Sequence, residues 1–476
     1  MRYISTRGQG GSLSFNDVLL AGLAPDGGLY VPEEYPQLSW DHILRMRNWS
    51  YPQIALHILE MFVGNDIKRT DLKAIIERAY NPRLFGSIDI TPIQPLAHRF
   101  GLLKLSNGPT LAFKDVALQL LANLMDHVLQ ERDEYLNILG ATSGDTGSAA
   151  EWAVRGRERL RIFMLSPHGR MTRFQEMQMY RIHDGAVFNL VPDGNFDDCQ
   201  AAVKLVNGDA DFKKQYSIGA VNSINWARIM AQVVYYVYGY IRVMDESSEI
   251  MNVAVPSGNF GNALAAYVAA KMGLRMHIIV ATNDNDVLHE FFQTGMYRVR
   301  KGDEVKKTHS PSMDIASASN FERFMFDYVD RDPECLRALW EQIASTGQFT
   351  FPYDFRRSNG GVSISSGMAT DAEVIDWIKL IYRTYGGTII DPHTAVAFKV
   401  GLDNYTGNGL GPLLIAETAQ PAKFEDAIRQ AIGLEIGLPP SCSHLKSRQD
   451  EITRIEETDP TAIADAVKTF IEANVT

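Results

Sequence analysis

The chain has 476 residues, 45% hydrophobic and 22% charged, the proportions of an ordinary soluble globular protein with room for two or three domains. A formal net charge of −11 argues against a nucleic-acid surface or an anionic membrane partner, and it obliges any anionic ligand to find a local positive pocket. Three widely spaced cysteines, Cys199, Cys335 and Cys442, give neither a disulfide framework nor a paired-thiol metal pattern. The opening residues lack the apolar core of a signal peptide, and the richest apolar run, Val233 to Val243, is broken by Gly239 and Arg242. The reading is a soluble, cytoplasmic protein.

Along the chain, about ninety residues come first with the turn-rich segment Ala24 to Pro32, helical patterns and few strands. They read as a separate N-terminal domain, residues 1–92, ahead of a larger one, residues 93–476. From there short apolar strands alternate with amphipathic stretches, the pattern of an α/β fold with a parallel sheet covered on both faces. Helical spacing covers Asp115–Gln130, Thr146–Arg155, Trp226–Ile241 and Asn262–Met272. Strands are expected at Tyr135–Ala141, Arg161–Ser166, Ala186–Val191, Ile250–Pro256, Met276–Thr282, Gly387–Ile390 and Pro412–Glu417. A smaller α/β subdomain falls within roughly residues 120–215. The stretch Tyr297–Pro352 is charged and mostly helical, an insertion or a lid.

Four places carry chemistry. Lys114 follows the apolar residues Leu111, Ala112 and Phe113 and precedes a helix. A desolvated lysine loses part of its preference for charge, and the neutral amine attacks an aldehyde; many lysines after such runs simply snorkel to the surface. The run Val253 to Asn262 is a buried strand, a glycine turn at Gly258, Asn259, Phe260, Gly261 and Asn262, and a helix. Its free backbone N–H groups and helix N-terminus suit a phosphate, although any α/β protein uses similar tight turns. It is neither a P-loop nor a dinucleotide fingerprint. Gly140 to Ala150 repeats the strand–turn–helix arrangement, with Ser143, Asp145 and Thr146 suited either to a carboxylate or to capping the helix. Thr418 ends an expected central strand, where open α/β sheets contact ligands. An imine-forming amine, a phosphate cradle and a carboxylate loop together point to a pyridoxal phosphate enzyme acting on an amino acid.

Seven blocks in order make the chain resemble the threonine synthases, in the branch with a long N-terminal domain. They are Asp26–Pro32, Gly108–Asp115, Thr142–Gly147, Asn222–Arg228, Ser257–Asn262, Asp391–Ala397 and Thr418–Phe424. The resemblance implies the tryptophan-synthase-β-like fold of type II pyridoxal phosphate enzymes, with two open α/β subdomains. It implies conversion of O-phospho-L-homoserine and water into L-threonine and phosphate, by a monomer or homodimer. By matching position, Lys114 forms the imine, Gly258–Asn262 hold the cofactor phosphate, Asp145 lies near the phenolic oxygen and Thr418 faces the pyridine nitrogen. Ser143 and Thr146 receive the substrate carboxylate; Ser223, Asn225 and Arg228 reach its phosphate. A departure is Leu105-Ser106-Asn107, where a more aromatic or histidine-bearing approach is expected.

The nearest alternative is a phospho-lyase acting on the same substrate and releasing 2-oxobutanoate. A serine or threonine dehydratase fits less well, because the Asp26–Pro32 block is not expected there. A non-catalytic metabolite-binding relative would have a degraded Lys114 or phosphate loop, and this chain has neither.

Overall fold

The computed structural model describes residues 1–142, 144–219, 224–244, 250–351, 362–405 and 411–475. Ser143 and Ser223 lie outside these residues, so their expected contacts have no structural counterpart here.

At the N-terminus, β1 (Tyr3–Ser5) pairs antiparallel with β2 (Tyr30–Pro32). Five helices accompany them: α1 (Phe15–Ala21), α2 (Trp40–Arg45), α3 (Tyr51–Val63), α4 (Arg69–Ala79) and α5 (Pro82–Phe85). Their starts follow capping rules; Ser14 and Ser39 accept backbone N–H groups, and Ser50 makes a capping box with Gln53. Next come the hairpin β3 (Ile93–Ala97) and β4 (Phe100–Lys104), then α6 (Lys114–Arg132). The smaller α/β unit holds β5 (Leu136–Ala141), α7 (Asp145–Val154), β6 (Leu160–Leu165), α8 (Arg173–Tyr180), β7 (Val187–Pro192), α9 (Phe196–Gly208), α10 (Ala210–Gln215) and β8 (Ile218–Gly219).

The chain then returns through α11 (Trp226–Val243), β9 (Met251–Pro256), α12 (Gly261–Lys271), β10 (Met276–Thr282) and α13 (Val287–Thr294). Beyond lie β11 (Met296–Arg298), α14 (Phe321–Tyr328), α15 (Pro333–Thr346), β12 (Gln348–Thr350) and β13 (Ser363–Met368). The last elements are α16 (Asp371–Thr384), α17 (Pro392–Asn404), β14 (Leu413–Glu417), α18 (Glu425–Ile432), β15 (Thr453–Ile455) and α19 (Pro460–Asn474).

Among the described residues there are two larger sheets. One runs β13-β10-β9-β14-β4-β3 and is parallel except for the β3–β4 hairpin; the other, β15-β7-β6-β5-β8, is parallel throughout. Every residue of β14 is buried, as a strand covered on both faces requires. The C-terminal ends of β9 and β14 are neighbours, and the site forms there.

The expected strand Gly387–Ile390 is absent. The segment is an irregular link that delivers Asp391 as the N-cap of α17, where it accepts the His393 N–H. The stretch from Tyr297 holds α14, α15 and the antiparallel ribbon β11–β12, with long irregular runs between them. No helix among the described residues is long and apolar enough to cross a membrane.

One continuous cluster of buried side chains runs from Tyr3 to Ala416, so the N-terminal helices share their core with α6 and α11. Trp226 is its hub; its ring centroid lies 6.1 Å from that of Tyr3 and 5.9 Å from that of Phe62. Arg323, without exposed surface, fastens the same region. It donates to Tyr30 O at 2.8 Å, Asn320 Oδ1 at 2.7 Å and Ile224 O at 2.5 Å. Removing it leaves buried acceptors unpaired, so Arg323→Ala is expected to cost about 3–5 kcal/mol. Urea unfolding measures this; a loss below about 1 kcal/mol would show that the N-terminal strand is held by other means.

Candidate active site

The site begins with two segments far apart in sequence. After β14 the chain pairs with the loop before α6, through an antiparallel bridge between Ala112 and Ala419. Phe113 N donates to Thr418 O at 2.8 Å and Gln420 N to Leu111 O at 3.0 Å. This pairing holds Leu111 at φ 60°, a left-handed conformation that a leucine adopts only when its surroundings impose it. Fully buried Asp115 braces the loop, accepting Thr110 N at 2.9 Å and Thr110 Oγ1 at 2.7 Å. Gly108 has to be glycine here, because a Cβ would stand 2.3 Å from that of Asp115. Lys114 is thereby fixed as the first residue of α6, beside the end of β14.

Lys114 keeps only part of its surface exposed, and its Nζ lies 3.4 Å from Ser312 Oγ. Burial pulls its amine down to about 8; Asp145 opposes this, while Lys423 and Arg228 add to it. A usable neutral fraction therefore exists near neutral pH. Asp145 opens α7 and is the anionic centre. Its Oδ1 meets Lys423 Nζ at 2.8 Å and Gln175 Nε2 at 3.1 Å, and its Oδ2 accepts Ser312 Oγ at 3.1 Å. Burial resists ionisation of Asp145, but Lys423 and Lys114 outweigh it and hold the carboxyl well below the usual carboxylate range. Lys423 is itself buried and also donates to Thr110 O at 2.8 Å and Gln178 Oε1 at 3.1 Å.

The glycine turn after β9 faces this group. A Cβ on Gly258 would lie 3.0 Å from both Met313 Cα and Ser312 O, so the 311–313 turn packs directly on it. Phe260, at φ 60°, caps α12 and packs its ring among Phe292, Phe321 and Phe324. Asn259 is exposed and accepts Ser319 Oγ at 3.2 Å. Asn262 Oδ1 takes the hydroxyls of Tyr235 at 2.5 Å and Tyr236 at 2.7 Å, but its Nδ2 has no partner. Ser257 Oγ is also buried without a partner, as are Nε and Nη1 of Arg228. Buried donors left unpaired cost about 1–3 kcal/mol each, so Ser257 Oγ and Asn262 Nδ2, at the two ends of one turn, suit a ligand acceptor. With the α12 N-terminus they fit an anion such as a cofactor phosphate, and Lys114 fits its aldehyde.

Thr146 is partly exposed on the first turn of α7, and Thr418 is buried just beyond β14, its backbone O held by Phe113 N. Asn225 Oδ1 accepts Ala227 N at 3.0 Å and its Nδ2 donates to Leu19 O at 2.9 Å. Both ends of that amide are engaged in capping α11 and tying it to α1. The sequence reading assigned no role to Lys423, Ser312, Gln175 or His393. Lys423 stands inside the Thr418–Phe424 block, and the need to neutralise a buried Asp145 could have found it. Ser312 offers no such signal.

The parallel sheets with a lysine and a phosphate-type turn at their strand ends define a pyridoxal-phosphate-dependent enzyme. The pyridoxal-phosphate dependent enzyme family matches residues 85–353, threonine synthase N terminus residues 2–80, and the threonine synthase C-terminal family residues 394–471. Threonine synthase of Methylobacillus glycogenes is 47% identical over 490 aligned positions, covering 100% of each chain. The Corynebacterium glutamicum threonine synthase is 48% identical over 91% of each. The solved structure of a PLP-bound threonine synthase from Brucella melitensis superposes with a TM-score of 0.94 at 40% identity, covering 100% of this chain and 99% of that one. The chain belongs to the threonine synthase family, and its cofactor is pyridoxal phosphate.

Two outcomes are expected from this geometry. Lys423→Met strands a buried carboxylate and should destabilise the protein by about 3–5 kcal/mol near neutral pH. The wild-type pair stabilises fully above the unfolded carboxyl pKa of about 4 and weakens as pH falls below it. The deficit in urea unfolding should therefore shrink on acidification; a pH-independent deficit would contradict the pairing. Ser257→Ala should weaken cofactor binding about tenfold while leaving the stability of the cofactor-free protein unchanged, because the hydroxyl has no partner in the protein. Equal cofactor affinity in a binding titration would remove Ser257 from the cradle.

Proposed function

We propose that the chain turns O-phospho-L-homoserine and water into L-threonine and phosphate, with Lys114 as the amine that first holds the cofactor and then moves protons. The observation that carries this is a lysine drawn down to about 8 in the same cleft as Arg228, a buried guanidinium with two unpartnered nitrogens. One suits an aldehyde and a carbon acid; the other suits a substrate phosphate.

Bound here, pyridoxal phosphate supplies an aldehyde and a conjugated ring that delocalises charge from the substrate's α-carbon. Ser257, Gly258, Asn259, Phe260, Gly261 and Asn262 hold its phosphate through backbone N–H groups and the two unpartnered side-chain donors. Thr418 would face the pyridine nitrogen with a neutral hydroxyl, which cannot hold a ring N–H⁺ as a carboxylate would. Asp145, kept ionised by Lys423, would lie near the phenolic oxygen. Lys114 Nζ takes the proton from the substrate's Cα and serves the transfers at Cβ and Cγ as phosphate leaves. Thr146, with Ser143, receives the substrate carboxylate at the start of α7. Arg228, with Ser223, takes its phosphate, and Asn225 fixes the first turn of α11 that presents Arg228.

We divide the chain after residue 92, since β3 opens the large sheet at Ile93 and the segment before it is mainly helical. We further propose a cytoplasmic enzyme, monomeric or homodimeric, without a nucleic-acid partner; the net charge of −11 and the free cysteines support this.

The test is an assay with O-phospho-L-homoserine that reads threonine and 2-oxobutanoate together. Threonine with free phosphate is expected; 2-oxobutanoate plus ammonia would make the chain a phospho-lyase. Lys114→Ala should lose the cofactor's absorbance band at the ultraviolet–visible boundary along with activity, and an unchanged spectrum would sink the assignment.

A further inference from the structure

We infer that Ser312 is a positioning residue for Lys114: its hydroxyl accepts a hydrogen bond from the amine, donates its own proton to Asp145, and so sets where the amine's lone pair points. The inference rests on Lys114 being the lysine that holds the cofactor, as proposed above.

The directions follow from donor chemistry. Ionised Asp145 has no proton to give, so the 3.1 Å contact between Ser312 Oγ and Asp145 Oδ2 uses the serine hydrogen. Only the lone pairs of Oγ remain for Lys114, whose Nζ is 3.4 Å away. A neutral amine that commits an N–H to Ser312 turns its lone pair away from that oxygen. Donation to a carboxylate also makes Oγ a stronger acceptor, which favours the protonated amine.

Ser312 is held for this task by a chain of buried groups. Its backbone N–H donates to His393 Nε2 at 3.2 Å, and His393 Nδ1 donates to Asp391 Oδ1 at 2.8 Å. Asp391 has no exposed surface and accepts Thr394 Oγ1 as well. This fixes the imidazole with its lone pair toward Ser312. Upstream and downstream of the serine, Asn283 Nδ2 donates to Asp314 Oδ1 at 2.8 Å and Thr308 N to Asp314 Oδ2 at 2.9 Å. Beneath it, the turn packs closely on Gly258, where a Cβ would stand 3.0 Å from Ser312 O. The charged groups facing Lys114 are Asp145 and Asp115, which favour its proton, and Lys423 and Arg228, which oppose it.

Two measurements test this on wild type, Ser312→Ala, Ser312→Thr and His393→Leu. The first is the pH dependence of Lys114 reductive methylation after cofactor removal, read by mass spectrometry; the second is kcat and KM of the holoenzyme. In Ser312→Ala the ammonium loses an acceptor, so the labelling midpoint should fall by about 0.5–1 pH unit. Its kcat should fall about tenfold, with KM changed less than about twofold. Ser312→Thr retains the hydroxyl and should restore both values. His393→Leu, which removes the acceptor of the Ser312 backbone N–H and leaves the serine side chain in place, should shift the midpoint in the same direction by a smaller amount. A wild-type midpoint in both Ser312→Ala and His393→Leu overturns the inference, as does a Ser312→Thr protein that behaves like Ser312→Ala. Should Ser312→Ala not fold, the His393→Leu midpoint decides alone. A Lys114→Ala protein that keeps its absorbance band would instead overturn the reading of Lys114 itself, so the two failures are distinct.

Discussion

The ion pair between Asp145 and Lys423 is the fastening on which the cleft depends. Two fully desolvated charges are tolerated only when their remaining hydrogen-bonding capacity is also met. Here Gln175 and Ser312 complete the carboxylate, and Thr110 O with Gln178 completes the ammonium. The pair and its partners come from the start of α7, from α8, from the loop before α6, from the 311–313 turn and from the turn after β14. One pair therefore binds the small sheet's helices to the ends of the large sheet, across the line where a ligand enters.

The same pair sets the chemistry next to it. Lys114 lies beside a carboxylate whose charge is already balanced, so Asp145 cannot draw the amine fully back to its solution behaviour. Burial and the second lysine prevail, and the amine is ready to act as nucleophile or base near neutral pH. Around it the protein leaves polar groups unpaired at Ser257, Asn262 and Arg228, an arrangement that costs stability and acquires its purpose only with ligand in place. Rigid neighbours bear that cost. The aromatic packing of Phe260 and the bridge at Ala112–Ala419 hold the turns whose polar groups stay open.

Much of this was legible in the sequence because strand–turn–helix units advertise themselves: an apolar run, glycines, then a helical period. The Gly258–Asn262 turn and the start of α7 lie on such units, while Lys114 stands out by the apolar run Leu111–Phe113 ahead of a helical period. β4 escaped notice since it follows a reversal at Arg99, which has φ 56°, in a tight hairpin with β3. β13, Ser-Ile-Ser-Ser-Gly-Met, is an edge strand with little apolar content to betray it. Gly387–Ile390 failed in the opposite sense, its two isoleucines serving a link instead of a sheet. Asn225 also caps α11 and ties it to α1 through the Leu19 carbonyl, a partner too distant in sequence for a local pattern to show. Ser312 acquires meaning from long-range neighbours, which no local pattern encodes.

The shared core around Trp226 has a consequence for the order in which the chain is made. Synthesis delivers the N-terminal end first, so Tyr3, Phe15 and the apolar face of α3 leave the ribosome well before α11 exists to cover them. Their contacts close over long sequence separations, and β2 waits longer still for Arg323. A nascent chain of this protein thus carries an uncovered apolar surface through much of translation, and its first segment becomes stable only after the elements that build the cleft have appeared.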